Sequence, residues 1–134
     1  MRTAKGLWID HRKALIVAVT DSGEEAGLII SRVEKQLRRT GDAPMQGSYE
    51  SRQVPRSATR QRIYTKQLNA YYDAVIASIR DASAILLFGP GEATGELKKR
   101  LKRHGLARRI VGIEAAGRMT DRQIAAKVRT YFRT

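Results

Sequence analysis

Apolar residues near the start of the chain form three short runs, residues 6–10, 14–20 and 27–33, which contain many β-branched side chains. Polar residues 10–13 and 21–24 separate these runs, and the second polar segment contains Gly23. Short apolar runs bounded by turn-forming residues are typical of strands joined in hairpins. The pattern therefore predicts a three-stranded antiparallel meander.

The pattern is lost over residues 34–62, which collect glycine, proline, serine, threonine and cationic side chains. It returns at Ile63 with apolar residues at spacings of three and four, which predicts an amphipathic helix packed on the sheet. The stripe on this helix is formed by Ile63, Gln67, Leu68, Tyr71, Tyr72, Val75, Ile76 and Ile79. Residues 34–62 are expected to form a long basic loop, because so long a connection without structure of its own is usually functional or disordered.

The rest of the chain alternates between short apolar runs and amphipathic segments. Residues 84–88 and 110–113 are predicted strands, and a strongly basic helix lies between them. Thr120 and Gln123 form a capping-box pattern that opens a last helix. The buried stripe of that helix is expected to comprise Ile124, Val128 and Phe132.

The predicted order is therefore βββαβαβα. Three antiparallel strands followed by two strands with helical crossovers describe an α/β fold, in which helices pack on a mixed five-stranded sheet. This is the ribonuclease H type of architecture. The length of 134 residues and the hydrophobic content of 42% fit one domain, residues 1–134.

Positive charge dominates the surface that this fold would present. The chain has a formal net charge of +13, and residues 98–109 contain seven cations and no carboxylate. A helix face that carries only positive charges indicates an anionic partner, most commonly nucleic acid. We expect residues 34–62 to be mobile and to become ordered on RNA, with the first turn of the following helix as an alternative place for Arg60 and Arg62. The predicted RNA-binding residues are Arg52, Arg56, Arg60, Arg62, Lys98, Lys99, Arg100, Lys102, Arg103, Arg108 and Arg109.

Other side chains allow alternatives to this interpretation. Gly89, Pro90, Gly91 and Gly95 could cradle a phosphate at a helix N-terminus, but they match no nucleotide-binding fingerprint, and a tight turn is favoured. Tyr71 and Tyr72 could stack on bases, although their place in the apolar stripe favours the core for at least one of them.

Catalysis is not expected. The chain has no cysteine, and His11 and His104 are isolated from each other in sequence, so neither a metal nor another cofactor is predicted. The competing hypothesis is a metal-dependent nuclease that uses Asp10, Glu34 and Glu114. It is disfavoured because the helix at residues 63–79 offers no inward carboxylate to complete the set of metal ligands.

The strand, glycine turn and helix at residues 84–103, the long helix before them and the opening meander resemble the central domain of the archaeal and eukaryotic peptide-chain release factors and of Pelota. The resemblance covers residues 5–132, and the chain looks like the stand-alone bacterial relatives described as translational machinery proteins. It implies a setting at the ribosome, with ribosomal RNA or tRNA as the partner.

In the release factors, the loop that leaves the meander carries a Gly-Gly-Gln tip that promotes hydrolysis of peptidyl-tRNA. The corresponding residues here are Met45, Gln46, Gly47 and Ser48, so peptide release by that chemistry is not expected. The sequence thus predicts a non-catalytic RNA-binding protein of translation, ribosome rescue or hibernation. It is expected in the cytoplasm and away from membranes, since no long apolar stretch or signal sequence is present.

Overall fold

A computed structural model of the protein describes residues 3–31 and 56–133. The strands of this part of the chain are β1 (Ala4–Ile9), β2 (Lys13–Thr20), β3 (Gly23–Ile30), β4 (Ala84–Gly89) and β5 (Ile110–Ala115). The α-helices are α1 (Arg56–Ile79), α2 (Glu92–Arg103) and α3 (Asp121–Arg133), and a short 3-10 helix, Ala107–Arg109, precedes β5. No helix within the described ranges is long and apolar enough to cross a bilayer.

The five strands form one mixed sheet in the order β3-β2-β1-β4-β5. Antiparallel pairing joins β1 to β2 and β2 to β3, whereas β4 runs parallel to both β1 and β5. The predicted fold class and element order are confirmed. Because β1 and β4 are parallel neighbours, the residues that follow each strand meet at the same edge of the sheet.

Helices cover both faces of the sheet, and the alternation of side chains along β1 shows why. Leu7 and Ile9 point to the face covered by α1 and α2, while Trp8 points to the face covered by α3. Each side chain is at most 3% exposed, so the sheet has a core on either side. This arrangement leaves α1 and α2 side by side as one outer layer.

The structure corrects the predicted beginning of α1. The helix begins at Arg56 rather than at residue 63, so the expected loop at residues 34–62 is wrong for its last seven positions, 56–62. Residues 56–62 contain one apolar residue, Ala58, so no helical spacing of apolar residues marks this first part of the helix. Residues 32–55, which hold the rest of the expected loop, lie outside the described part of the chain.

The third strand also begins earlier than predicted, at Gly23 instead of residue 27. Glu24 and Glu25 pair with Val19 and Ala18 of β2, although their charge argues against a strand. An edge strand tolerates charged side chains because one side of it faces solvent. The polar start of β3 therefore concealed it from a pattern based on apolar residues.

The predicted capping box opens α3. The Thr120 hydroxyl accepts the Gln123 amide N–H at 3.1 Å, and the Gln123 side chain accepts the Thr120 N–H at 2.9 Å. We expect Thr120→Ala to lower the free energy of unfolding by about 1 kcal/mol, because one amide loses its partner. Urea denaturation followed by circular dichroism measures this. The exposed Thr130→Ala, inside the same helix, is the control and should not lower stability.

Candidate nucleic-acid interface

A tight turn after β4 places the start of α2. Gly89 has φ 149° and Gly91 has φ 50°, both in regions that favour glycine. A Cβ at Gly89 would lie 2.3 Å from the carbonyl oxygen of Ile9, so the turn passes directly against the end of β1. This gives Gly89 a packing role, as expected for a tight turn.

The beginning of α2 carries negative side chains, which argues against a phosphate cradle there. Glu92 lies in the first turn of the helix, and Glu96 follows four residues later. Carboxylates complement the positive end of the helix dipole and repel an anion that approaches it. We therefore place the candidate anion-binding surface at the other end of α2.

One face of α2 packs against the core, and the opposite face carries the positive charge of the helix. Buried residues Ala93, Thr94, Leu97 and Leu101 attach the helix to the core. The opposite side carries exposed cations, and none of them forms an ion pair or side-chain hydrogen bond with another described residue. This group, called the basic face below, comprises Lys98, Lys99, Lys102 and Arg103.

Arg100 belongs to the same helix but has a different role. Its guanidinium lies 4.7 Å from the centroid of the Tyr72 ring and donates a hydrogen bond to the side-chain oxygen of Asn69. Cation–π and hydrogen-bond contacts of this kind tie α2 to α1. The sequence predicts Arg100 to be an RNA-binding residue, whereas the structure engages it inside the protein.

Arg109 is likewise engaged within the protein. Its Nη1 donates to the carbonyl oxygens of Arg80 at 2.5 Å and Ala82 at 3.2 Å. The guanidinium thereby fastens the connection between α1 and β4. Its neighbour Arg108 is exposed beside it and has no such partner among the described residues.

The first half of α1 extends the basic surface. Arg62 and Lys66 are exposed, while Arg60 is half-buried and its Nε lacks a hydrogen-bond partner among the described residues. Arg52 lies outside the described residues, as does the side chain of Arg56. A groove of about 300 Å³ separates this half of α1 from α2. It is lined by Gln61, Tyr64, Thr65, Leu68, Asn69, Glu96, Lys99, Arg100 and Arg103.

Both tyrosines considered for base stacking belong to the core. Tyr71 is 3% exposed and donates its hydroxyl hydrogen to the Asp10 carbonyl oxygen at 2.9 Å. Tyr72 is fully buried and donates to Glu96 Oε1 at 2.6 Å. Burial raises the pKa of each phenol, and for Tyr72 the hydrogen bond to Glu96 raises it further. Neither ring is available to a nucleic-acid base.

Tyr64, half-buried at the groove, is an aromatic residue that the predicted apolar stripe omits. Burial raises the pKa of its phenol, and the charges of Glu96 and Glu92 act in the same direction. Its spacing of four from Leu68 continues the apolar stripe of α1 toward the N-terminus and could have identified it.

The structure does not assemble the carboxylates of the nuclease hypothesis. Asp10 Oδ1 accepts the backbone N–H groups of Arg12 and Lys13 at 2.8 and 2.9 Å, which stabilises the β1–β2 turn. Glu114 forms an ion pair with Lys127 at 2.7 Å. Glu34 lies outside the described residues. The potential metal-ligand group found among the described residues contains neither Asp10 nor Glu114.

That group is His11, Glu92 and Glu96, whose ligand atoms lie within 4.8 Å of one another. The sequence prediction considers His11 only as isolated from a second histidine, and Glu96 is 85 positions away along the chain. Parallel pairing of β1 and β4 brings the two residues together. Two glutamates at a spacing of four, in a helix that is otherwise basic, were the available signal.

This three-layer α/β fold is similar to part of the solved structures of Pelota and of an archaeal translation termination factor. The structure of Pelota from Thermoplasma acidophilum matches with a TM-score of 0.58 and 17% identity, over 96% of this chain and 32% of that protein. Archaeoglobus fulgidus Pelota matches with a TM-score of 0.56 and 12% identity, over 98% and 32% of the two chains. The archaeal translation termination factor aRF1 matches with a TM-score of 0.51 and 12% identity, over 93% of this chain and 37% of that protein.

These similarities confirm the predicted fold. The chain spans about a third of the length of the solved proteins that it resembles. No protein-family model matches the sequence, and no curated protein matches it either.

Proposed function

We propose that this protein binds RNA of the translation machinery, ribosomal RNA or tRNA, through the basic face of α2 and the adjoining half of α1, and that it acts without catalysis. The observation that carries the proposal is the basic face itself. Four exposed cationic side chains lie on one helix face, and none of them pairs with a described carboxylate. Cations without internal partners remain available for phosphates.

The arrangement of these cations favours an extended polyanion over a small ligand. Lys98 and Lys102 form one row along the helix, and Lys99 and Arg103 form the next, since residues four apart are surface neighbours. Arg62 and Lys66 add exposed positive charge on α1. Contacts of this type position a nucleic acid through its backbone and do not read its sequence.

The setting in translation is supported by the fold. Pelota and an archaeal translation termination factor share it, although identities of 12 to 17% show the fold alone. Fold does not determine function, so the argument for RNA as partner rests on the basic face and the argument for the ribosome rests on the likeness. The two parts of the proposal can therefore be tested separately.

Neutralising part of the basic face tests the RNA contact. With Lys98→Gln, Lys102→Gln and Arg103→Gln combined, we expect weaker cosedimentation with ribosomal subunits and ribosomes and weaker binding to purified tRNA. The slope of log affinity against log salt should decrease in magnitude by about 0.7 to 0.9 for each phosphate that is no longer neutralised. Circular dichroism should show an unchanged fold, because all three side chains are exposed.

A matched control removes the same charge from the opposite layer, with Arg118→Gln, Arg122→Gln and Arg133→Gln, all exposed. This variant should keep most of the salt slope. Equal reductions in both variants would indicate an effect of net charge and contradict a defined interface. Binding to tRNA without cosedimentation with ribosomes would support the RNA-binding part of the proposal and contradict the ribosomal part. Magnesium-dependent RNA cleavage that Asp10→Asn abolishes would favour the nuclease hypothesis.

A further inference from the structure

Three potential metal-binding side chains converge at the edge of the sheet, and none of them belongs to the basic face. His11 lies in the β1–β2 turn, and Glu92 and Glu96 lie in the first two turns of α2. His11 Nε2 is 3.1 Å from Glu96 Oε1, and the ligand atoms of all three residues lie within 4.8 Å of one another. We propose that His11, Glu92 and Glu96 bind a zinc ion.

The position of this group is a consequence of the topology. Parallel strands β1 and β4 end at the same edge of the sheet, so the turn after β1 lies next to the start of the helix after β4. Two glutamates four residues apart occupy one side of that helix. Open α/β sheets bind their ligands outside the carboxyl ends of parallel strands.

The donor set fits zinc. Zinc binds imidazole nitrogen and carboxylate oxygen at about 2.0 to 2.2 Å, so tetrahedral ligand atoms lie about 3.4 Å apart. The 3.1 Å separation between His11 Nε2 and Glu96 Oε1 is a few tenths of an ångström shorter, so a small opening of this pair would give the tetrahedral spacing. Glu92 is exposed and has no partner among the described residues, so its side chain can close on the ion. Two carboxylates neutralise the divalent charge, and water takes the fourth position.

Surrounding hydrogen bonds hold two of the three ligands in place. The Tyr72 hydroxyl donates to Glu96 Oε1 at 2.6 Å, from a ring that is fully buried. The backbone of His11 is fixed because its carbonyl oxygen accepts the Ser31 hydroxyl at 2.6 Å. Partners that orient the ligands commonly raise metal affinity by 10- to 100-fold.

The competing explanation is an ion pair between protonated His11 and Glu96 that needs no metal. It accounts for the 3.1 Å contact and leaves Glu92, which lies within reach of both residues and pairs with neither, only the role of complementing the helix dipole. The zinc proposal uses all three side chains. It does not depend on RNA binding, because these residues are distinct from the basic face.

Calorimetric titration of the tag-free, metal-depleted full chain with zinc chloride tests the proposal. We expect one zinc per chain, with affinity reduced at least about 100-fold by His11→Ala or Glu92→Gln, and about tenfold by Tyr72→Phe. His104→Ala removes the other histidine, and Glu25→Gln removes an exposed glutamate on β3, so both controls should bind like the wild type. Zinc should raise the Tm of the wild type and both controls but not that of Glu92→Gln.

Absence of saturable binding at one zinc per chain would overturn the proposal. Equal affinities for His11→Ala and His104→Ala would overturn it as well and would leave the ion pair as the explanation. Glu92→Gln keeps the test decisive if His11→Ala fails to fold, because an isosteric change of an exposed side chain leaves the packing intact. Retained zinc binding in folded Glu92→Gln would contradict the three-ligand site.

Discussion

Gly89→Ala is expected to destabilise the protein by about 3 kcal/mol or more. Its φ of 149° lies in a region that is nearly restricted to glycine, and forcing another residue into such a region costs about 1 to 3 kcal/mol. The added Cβ would also lie 2.3 Å from the Ile9 carbonyl oxygen. That neighbour is the backbone of the last β1 residue, which pairs with Ala14 of β2, so it can move only if this strand pairing is disturbed.

Equilibrium urea denaturation, followed by circular dichroism, measures this destabilisation. Gly27→Ala is the matched control, because a Cβ there meets nothing within 4 Å and no positive φ is required. Its expected effect is neutral or stabilising by up to about 1 kcal/mol, since alanine restricts the unfolded chain. Similar unfolding midpoints for both variants would contradict the close approach of the turn to β1.

The parts of the fold that sequence predicted well are those with strong local signals. Strands β1, β2 and β4 are short apolar runs with turn residues at their ends, and all have buried interiors. The capping box at Thr120 and Gln123 is equally local, because both partners lie within one helical turn. Such features need no knowledge of the tertiary structure.

Elements without a continuous buried face were harder to predict. Residues 56–62 of α1 contain one apolar residue, Ala58, so hydrophobic spacing marks the helix only from Ile63 onward. The edge strand β3 begins with Glu24 and Glu25, and the signal for a strand disappears there. In both cases a run of polar residues removed the apolar pattern on which the prediction depended.

The candidate interface shows the same division between local and distant information. A sequence reveals that α2 is basic but not which cations have partners in the fold. Arg100 meets Asn69, which is 31 positions away, and Arg109 meets the Arg80 carbonyl, 29 positions away. Distances of this kind also explain why His11 and Glu96 were not recognised as neighbours. Only the strand order brings such residues together.

The second large effect is expected at Leu101, which attaches the basic helix to the core. The side chain is fully buried in the cluster shared by the sheet, α1 and α2. We expect Leu101→Ala to lower the free energy of unfolding by about 2 to 5 kcal/mol, because the change removes buried apolar surface and leaves a cavity. Domains of this kind have a total stability of about 5 to 15 kcal/mol.

Leu28→Ala is the control for this change, since Leu28 is 51% exposed on β3 and its truncation should cost no more than about 0.5 kcal/mol. Unfolding midpoints in urea compare the two, and equal destabilisation would contradict the burial of Leu101.

Leu101→Ala also tests whether the effect of α2 on RNA binding comes from its cations or from its attachment to the core. Where Leu101→Ala remains folded, its salt slope for RNA should equal that of the wild type, because every cation of the basic face is retained. A reduced slope would show that the cations act only when α2 is held rigidly against the core.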